Sequence, residues 1–169
     1  MRIEPLTDED AASLTPDIVW DGQRGDLALA GLDAAVNPGG LKSEAAIATA
    51  VLICLATDLR VEDYELPPDV DNRGWAGDGF DLRGAERPLG SRLWTLENST
   101  VDDADIPRRA ETYAEEALET LIDQGLAVRA DVSATARPVD RRLDLEVSLY
   151  GRDGRAVFHE RFAVLWEQL

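Results

Sequence analysis

Between Val128 and Trp166, apolar residues fall on alternate positions in three successive runs. The first run places Val128, Ala130, Val132, Ala134 and Ala136 on one side. The second does the same with Leu143, Leu145, Val147 and Leu149, and the third with Ala156, Phe158, Phe162, Val164 and Trp166. A period of two sends neighbouring side chains to opposite faces, so each run predicts a strand with one buried and one wet face. Pro138-Val139-Asp140 and Arg152-Asp153-Gly154 supply turns between the runs. The pattern predicts a three-stranded antiparallel meander.

The segment before the meander switches period. Ile106, Ala110, Tyr113, Ala114, Ala117, Leu118, Leu121 and Ile122 recur at helical spacing, with Arg109, Glu111, Glu115, Glu116, Glu119 and Asp123 mostly opposite. Asp105 is placed to cap this helix and Gly125 to end it. A second helix is predicted within residues 41–57, with Ser43 as its cap and Glu44 in its first turn. It is apolar on nearly every side, as a helix central to a core should be. In residues 1–40, strand-like runs at 17–22 and 26–31 flank a Gly22–Gly25 turn and predict a hairpin, and Asn37-Pro38-Gly39-Gly40 then breaks the chain. Residues 58–105 carry Gly and Pro throughout and sustain neither period. So long an irregular stretch is unusual in a compact domain unless it is functional or ordered by a partner, and we expect residues 61–90 to order on assembly. The expected fold is α+β: an antiparallel sheet with a C-terminal meander packed on two main helices, plus a long irregular segment, all in one domain spanning residues 1–169.

Charge narrows the partners. A chain of 169 residues with a net charge of −17 repels phosphate backbones, so nucleic acid is not expected as a ligand. The acidity serves solubility, a basic protein partner, or mimicry of DNA. The N-terminus lacks the apolar stretch of a signal peptide, and the longest apolar run falls short of the roughly 20 residues that span a bilayer. A soluble protein made in the cytoplasm, without membrane contact, is expected. The single cysteine, Cys54, lies in an apolar run and reads as a small buried hydrophobe.

Catalytic patterns are not visible. The one histidine, His159, sits in a predicted strand opposite Phe158 and reads as a surface residue, and one Cys with one His cannot make a zinc set. Asp69 to Phe80 begins like a calcium loop, but Arg73 and Phe80 hold its fifth and twelfth positions, where oxygen ligands are needed. Gly77-Asp78-Gly79 lacks the remainder of a dinucleotide fingerprint. No cofactor and no metal are expected. With 34 acidic residues some carboxylate pair will meet any glycosidase spacing, so that spacing decides nothing.

Three blocks carry a resemblance. They are Ile47 to Arg60; Asp71-Asn72-Arg73-Gly74-Trp75-Ala76-Gly77-Asp78; and Leu89-Gly90-Ser91-Arg92-Leu93-Trp94-Thr95-Leu96-Glu97. The helix near Tyr113 to Leu118 continues the order. Together, over roughly residues 41–166, they are similar to the Mu-like phage family known as gene product forty-six, which looks related to the small wedge proteins of contractile tail baseplates. Ala76 stands where that family tends to place a second aromatic. The resemblance implies a structural subunit, present in several copies, that holds larger wedge proteins near the hub and offers a surface where the sheath begins. It also implies a place in the tail baseplate of the virion. A cell-wall glycosidase and an acidic nucleic-acid mimic are the alternatives. Within the blocks, Arg73, Gly74, Trp75, Asp78, Gly90, Ser91, Arg92, Leu93 and Trp94 are the candidate interaction residues. Arg92 is expected to anchor the irregular segment by pairing with Asp78 or Asp58, or else to be a solvated surface residue. Trp75 and Trp94 are interface anchors or pack within the subunit. Gly74, Gly77 and Gly90 are expected to permit unusual backbone shapes.

Overall fold

The computed structural model describes residues 2–5, 18–20, 25–27, 32–33, 46–66, 69–82, 84, 86–98 and 104–165. Three short strands come first: β1 (Arg2–Pro5), β2 (Ile18–Trp20) and β3 (Gly25–Leu27). Helix α1 (Ala46–Ala56) follows, then the one-turn α2 (Asp78–Asp81) and a 3₁₀ helix at Arg92–Asn98. Helix α3 (Ile106–Asp123) leads into β4 (Arg129–Arg137), β5 (Arg142–Tyr150) and β6 (Ala156–Leu165).

Helix α3 buries Ile106, Ala110, Ala114, Ala117, Leu118 and Leu121, the stripe its periodicity predicts. Its end is a full Schellman motif. Gly125 is left-handed at φ 76°, its N–H donates to Ile122 O, and the Leu126 N–H donates to Leu121 O. Its start departs from expectation. Asp105 occupies the N-cap position but makes no side-chain cap bond, because its backbone is helical (φ −85°, ψ −15°) rather than extended, and Pro107 opens the first turn instead. Helix α1 packs on α3 and buries Ala48, Val51, Cys54 and Leu55. The expected cap at Ser43 and Glu44 lies outside the described residues.

The meander is present, and β1 extends it. The sheet runs β1-β6-β5-β4, antiparallel throughout, with Ile3 opposite Val164. Four residues with one strong apolar position gave no alternation from which to foresee β1. Strand β5 is central: Leu143, Leu145, Val147 and Leu149 are wholly buried against the helices, each worth about 1.5–3 kcal/mol of burial. On edge strand β4 the matching alanines and Val132 are only half-buried, and Val128 is half-exposed. In β6, Phe162 and Val164 are buried and Phe158 is half-buried. Ala156 is instead exposed, because the register shifts between Leu149 and Tyr150 and takes the strand's start off the core. Trp166 lies outside the described residues. Strands β2 and β3 form a separate antiparallel hairpin in which Trp20 pairs with Gly25.

Candidate functional site

The chain leaving α1 meets the start of the 92–98 helix edge to edge. Ser91 N–H donates to Thr57 O, and Leu59 N–H donates to Ser91 O, a two-rung parallel bridge. Gly90 makes the approach possible: it has φ +122°, and a Cβ there would stand 2.6 Å from Thr57 O. Ser91 is buried, and its Oγ accepts the Leu93 N–H at 2.9 Å, which caps the helix. Leu93 and Leu96 then enter the core.

Trp94 is settled as an internal residue. It is 2% exposed, and its Nε1–H donates to Leu59 O at 2.8 Å. Arg73 lies over the Trp94 ring, 5.1 Å from its centre, and pairs with Glu97 (2.7 Å) and Asp58 (3.5 Å). Asn72 beside it locks the strand-like backbone of Val61, accepting from Val61 N and donating to Val61 O at 2.6 Å. Gly74, at φ +154°, passes so close to Arg60 that a Cβ would stand 2.9 Å from Arg60 Cβ.

Arg92 anchors the segment, but through other partners than expected. Its Nε and Nη2 donate to Glu116 on α3, its Nη1 to Glu65 at 2.9 Å, and its guanidinium stacks on Tyr113 at 4.4 Å. Neither Asp78 nor Asp58 takes it. Arg92 opens the 3₁₀ helix against Glu116 of α3, and Asp58 is met by Arg73 instead. Burial alone would lower the Arg92 pKa; the hydrogen bond and charge of Glu116, with Tyr113 and Glu65 adding, overrule this and raise it.

Trp75 and Asp78 belong to a different place. They line a cleft of about 510 Å³ between α2 and the C-terminal end of α3. Trp75 is 47% exposed, and Phe80 on α2 is 92% exposed. Gly77 has an ordinary φ of −62°, contrary to expectation. Its lack of a side chain matters because a Cβ would overlap the Trp75 indole. Asp78 Oδ1 accepts the Leu89 N–H at 3.2 Å. Arg87 reaches across from the irregular segment to Glu119 and Asp123 on α3.

The structure therefore gathers Arg73, Gly74, Gly90, Ser91, Leu93 and Trp94 around the α1 exit, sets Arg92 against α3, and leaves Trp75 and Asp78 on an open cleft. Sequence reasoning missed Glu65, Asn72, Arg87, Glu97 and Glu116. Asn72 and Glu97 lie inside the recognisable blocks and were within reach. The partners of Arg92 lie 24 and 27 positions away, and no local pattern marks them. His159 is an exposed strand residue, as expected, with Nδ1 2.9 Å from Ser148 Oγ. Among the described residues no three His, Cys, Asp or Glu side chains converge as a metal site, and no helix is long and apolar enough to cross a membrane.

Fold and site together define an α+β protein in which the segment between Thr57 and Asn98, the arm, is pinned by arginine–carboxylate pairs. The chain belongs to the Phage protein GP46 family, whose model matches residues 47–156. It is 40% identical over 121 residues to the baseplate protein gp46 of Escherichia phage Mu, covering 69% of this chain and 74% of that protein. It is 34% identical over 142 residues to the Mu-like prophage FluMu protein gp46 of Haemophilus influenzae, covering 81% and 87% respectively.

Proposed function

We propose that this chain is a non-catalytic structural subunit of a contractile phage tail baseplate. It is made in the cytoplasm of a bacterial host and built into the virion tail in several copies around the hub. The observation that carries this reading is the similarity to a Mu protein named for the baseplate, extending over most of both chains. The site supports it. The carboxylates around the arm, Glu65, Glu97, Glu116, Glu119 and Asp123, are engaged with arginines as structural pairs. That arrangement holds a surface in shape, whereas glycoside cleavage needs two carboxylates left to face a sugar.

Two surfaces suit the two contacts of a wedge subunit. The stretch of the arm from residue 73 to 94 holds a larger wedge protein, with Trp75 as the aromatic anchor. The outer edge of β4, the terminal strand of its sheet, is where the sheath begins. There the Ala134 N–H turns away from β5 to Glu111 Oε1 (2.9 Å), so by the alternation of an antiparallel strand the N–H groups of Ala130, Val132 and Ala136 point the same way. A partner strand can extend the sheet along that edge.

A pull-down of the tagged subunit from an induced lysogen, with bound proteins identified by mass, tests the reading. Recovery of a larger wedge protein or of tail sheath is expected. Recovery of neither, together with cell-wall cleavage by the pure protein, overturns it.

A further inference from the structure

The cleft between α2 and the end of α3 has a chemistry of its own. Of its charged lining residues, Asp78, Glu86 and Asp123 stand against Arg87. Arg87 is already held by Glu119 and Asp123. Helix α3 ends here with no basic residue in its last turn, so its carbonyl end, the negative pole of the helix dipole, gains no cation from its own sequence. Asp78 Oδ2 is shut off from solvent and has no hydrogen-bond partner. It is the one such side-chain atom among the described residues. A carboxylate oxygen left this way is costly, and the structure keeps it so while the Leu89 N–H fixes its twin. The Trp75 indole, half-exposed against Gly77, offers the aromatic face on which a cation stacks.

We propose that this cleft receives a cationic side chain, an arginine, presented by a neighbouring protein of the assembly. A guanidinium suits both walls at once: its N–H fork pairs with the Asp78 carboxylate while its flat face lies on the indole. Oδ2 is shut off from solvent here, so the cleft wall must shift locally as the donor reaches it. Leu82 in the cleft wall and Phe80 on α2 add exposed apolar surface of the kind that keeps water from such an anchor. A lysine would supply charge without the fork. Nucleic acid would bring the wrong sign. The proposal rests on the docking role given above to the arm, and names the chemistry of the partner there.

The test uses the full chain, labelled with ¹⁵N, at low ionic strength. N-acetyl-arginine-N-methylamide is titrated in, and its neutral citrulline counterpart in parallel. The Trp75 indole N–H signal is assigned by its loss in Trp75→Phe. We expect it to move saturably with the arginine probe and to stay in place with the citrulline one. Asp78→Asn should weaken that binding at least about fivefold, the scale of losing one partly buried charge-assisted pair. Should that variant not fold, Asp123→Asn on the exposed rim should weaken it about twofold, the scale of an exposed pair. Equal shifts with both probes, no shift with either, or unchanged affinity in the folded variant would overturn the proposal. Arginine binding without recovery of any baseplate protein in the pull-down would sink the assembly reading alone.

Discussion

In β5 three leucines and a valine at alternate positions disappear into the core, and the position of the strand follows from them. Between Thr57 and Glu97 the chain is held differently, by Arg73, Arg92, Asn72, the Trp94 indole N–H and a glycine with no room for a side chain. Charge sets the meander apart from the rest of the chain. Residues 129–169 hold seven arginines and seven acids, so the net −17 of the chain resides in residues 1–128. Even the one deeply buried acid of the meander, Asp144 at 5% exposed, is met by Arg137, Arg142 and Arg161. The meander is thus stabilised collectively by burial, which salt leaves nearly untouched. The arm depends on a few directional contacts, several of them exposed enough to be screened. Raising the ionic strength should loosen the arm first.

The largest effect is expected where burial is deepest. Leu145→Ala removes a wholly buried side chain from the centre of the sheet and should cost about 3–5 kcal/mol in global unfolding, read by chemical denaturation. Arm and meander should then unfold together. A cost below about 1 kcal/mol would mean that β5 is not the keystone this packing implies.

Gly90→Ala attacks the arm at its narrowest point. The new Cβ would meet Thr57 O at 2.6 Å on a backbone at φ +122°, so the Thr57–Ser91 bridge must open. We expect a loss of about 2–3 kcal/mol, with faster amide exchange at Leu59 and Ser91 while the β5 amides keep their relative protection. Exchange accelerating evenly over both regions would erase the distinction between them.

Arg92→Gln is milder. It removes the pairs to Glu116 and Glu65 and the contact with Tyr113 at a side chain that is 24% exposed, so about 1–2 kcal/mol is expected after allowance for solvent screening. Limited proteolysis should cut the 58–98 stretch sooner, with the thermal midpoint shifted by only a few degrees. Added salt should narrow the gap between variant and parent.

The same division explains what could be read from the sequence. The meander, α3 and its Gly125 end are written in periodicity, and periodicity is a local property that one chain displays in full. The blocks around Arg73 and Arg92 marked where the arm would be fastened. They could not say to what, since Glu116 is distant in sequence and only the docking of the 3₁₀ helix on α3 brings it near Arg92. Trp75 and Trp94 look alike as sequence. One is buried with its indole N–H on Leu59 O, and the other stays half-exposed with its indole in the space that a side chain at Gly77 would fill. Strand β1 was missed for the opposite reason, being too short to show any period.

The smallest effect at neutral pH concerns Cys54, buried on α1 in the core cluster that also holds Leu93 of the arm and Leu145 of the meander. Burial pushes its thiol from 9.0 up to about 11. The neutral form is therefore the one the folded state favours. Its contribution to stability is complete below pH 9 and is lost as pH rises toward 11, since in that window the unfolded chain gives up its proton first. Around pH 7 stability therefore does not vary with pH on account of Cys54, and thiolate is roughly a hundredfold scarcer than in an ordinary cysteine. Disulfide-exchange reagents should therefore label Cys54 far more slowly than a free peptide thiol, and at a rate that follows opening of the α1 exit. Gly90→Ala should then speed labelling severalfold, as it frees the chain next to Thr57, and Arg92→Gln should do so less. Labelling that is fast in the parent protein, or that responds to Leu145→Ala alone, would place Cys54 with the meander and move the boundary between the two regions to the far side of α1.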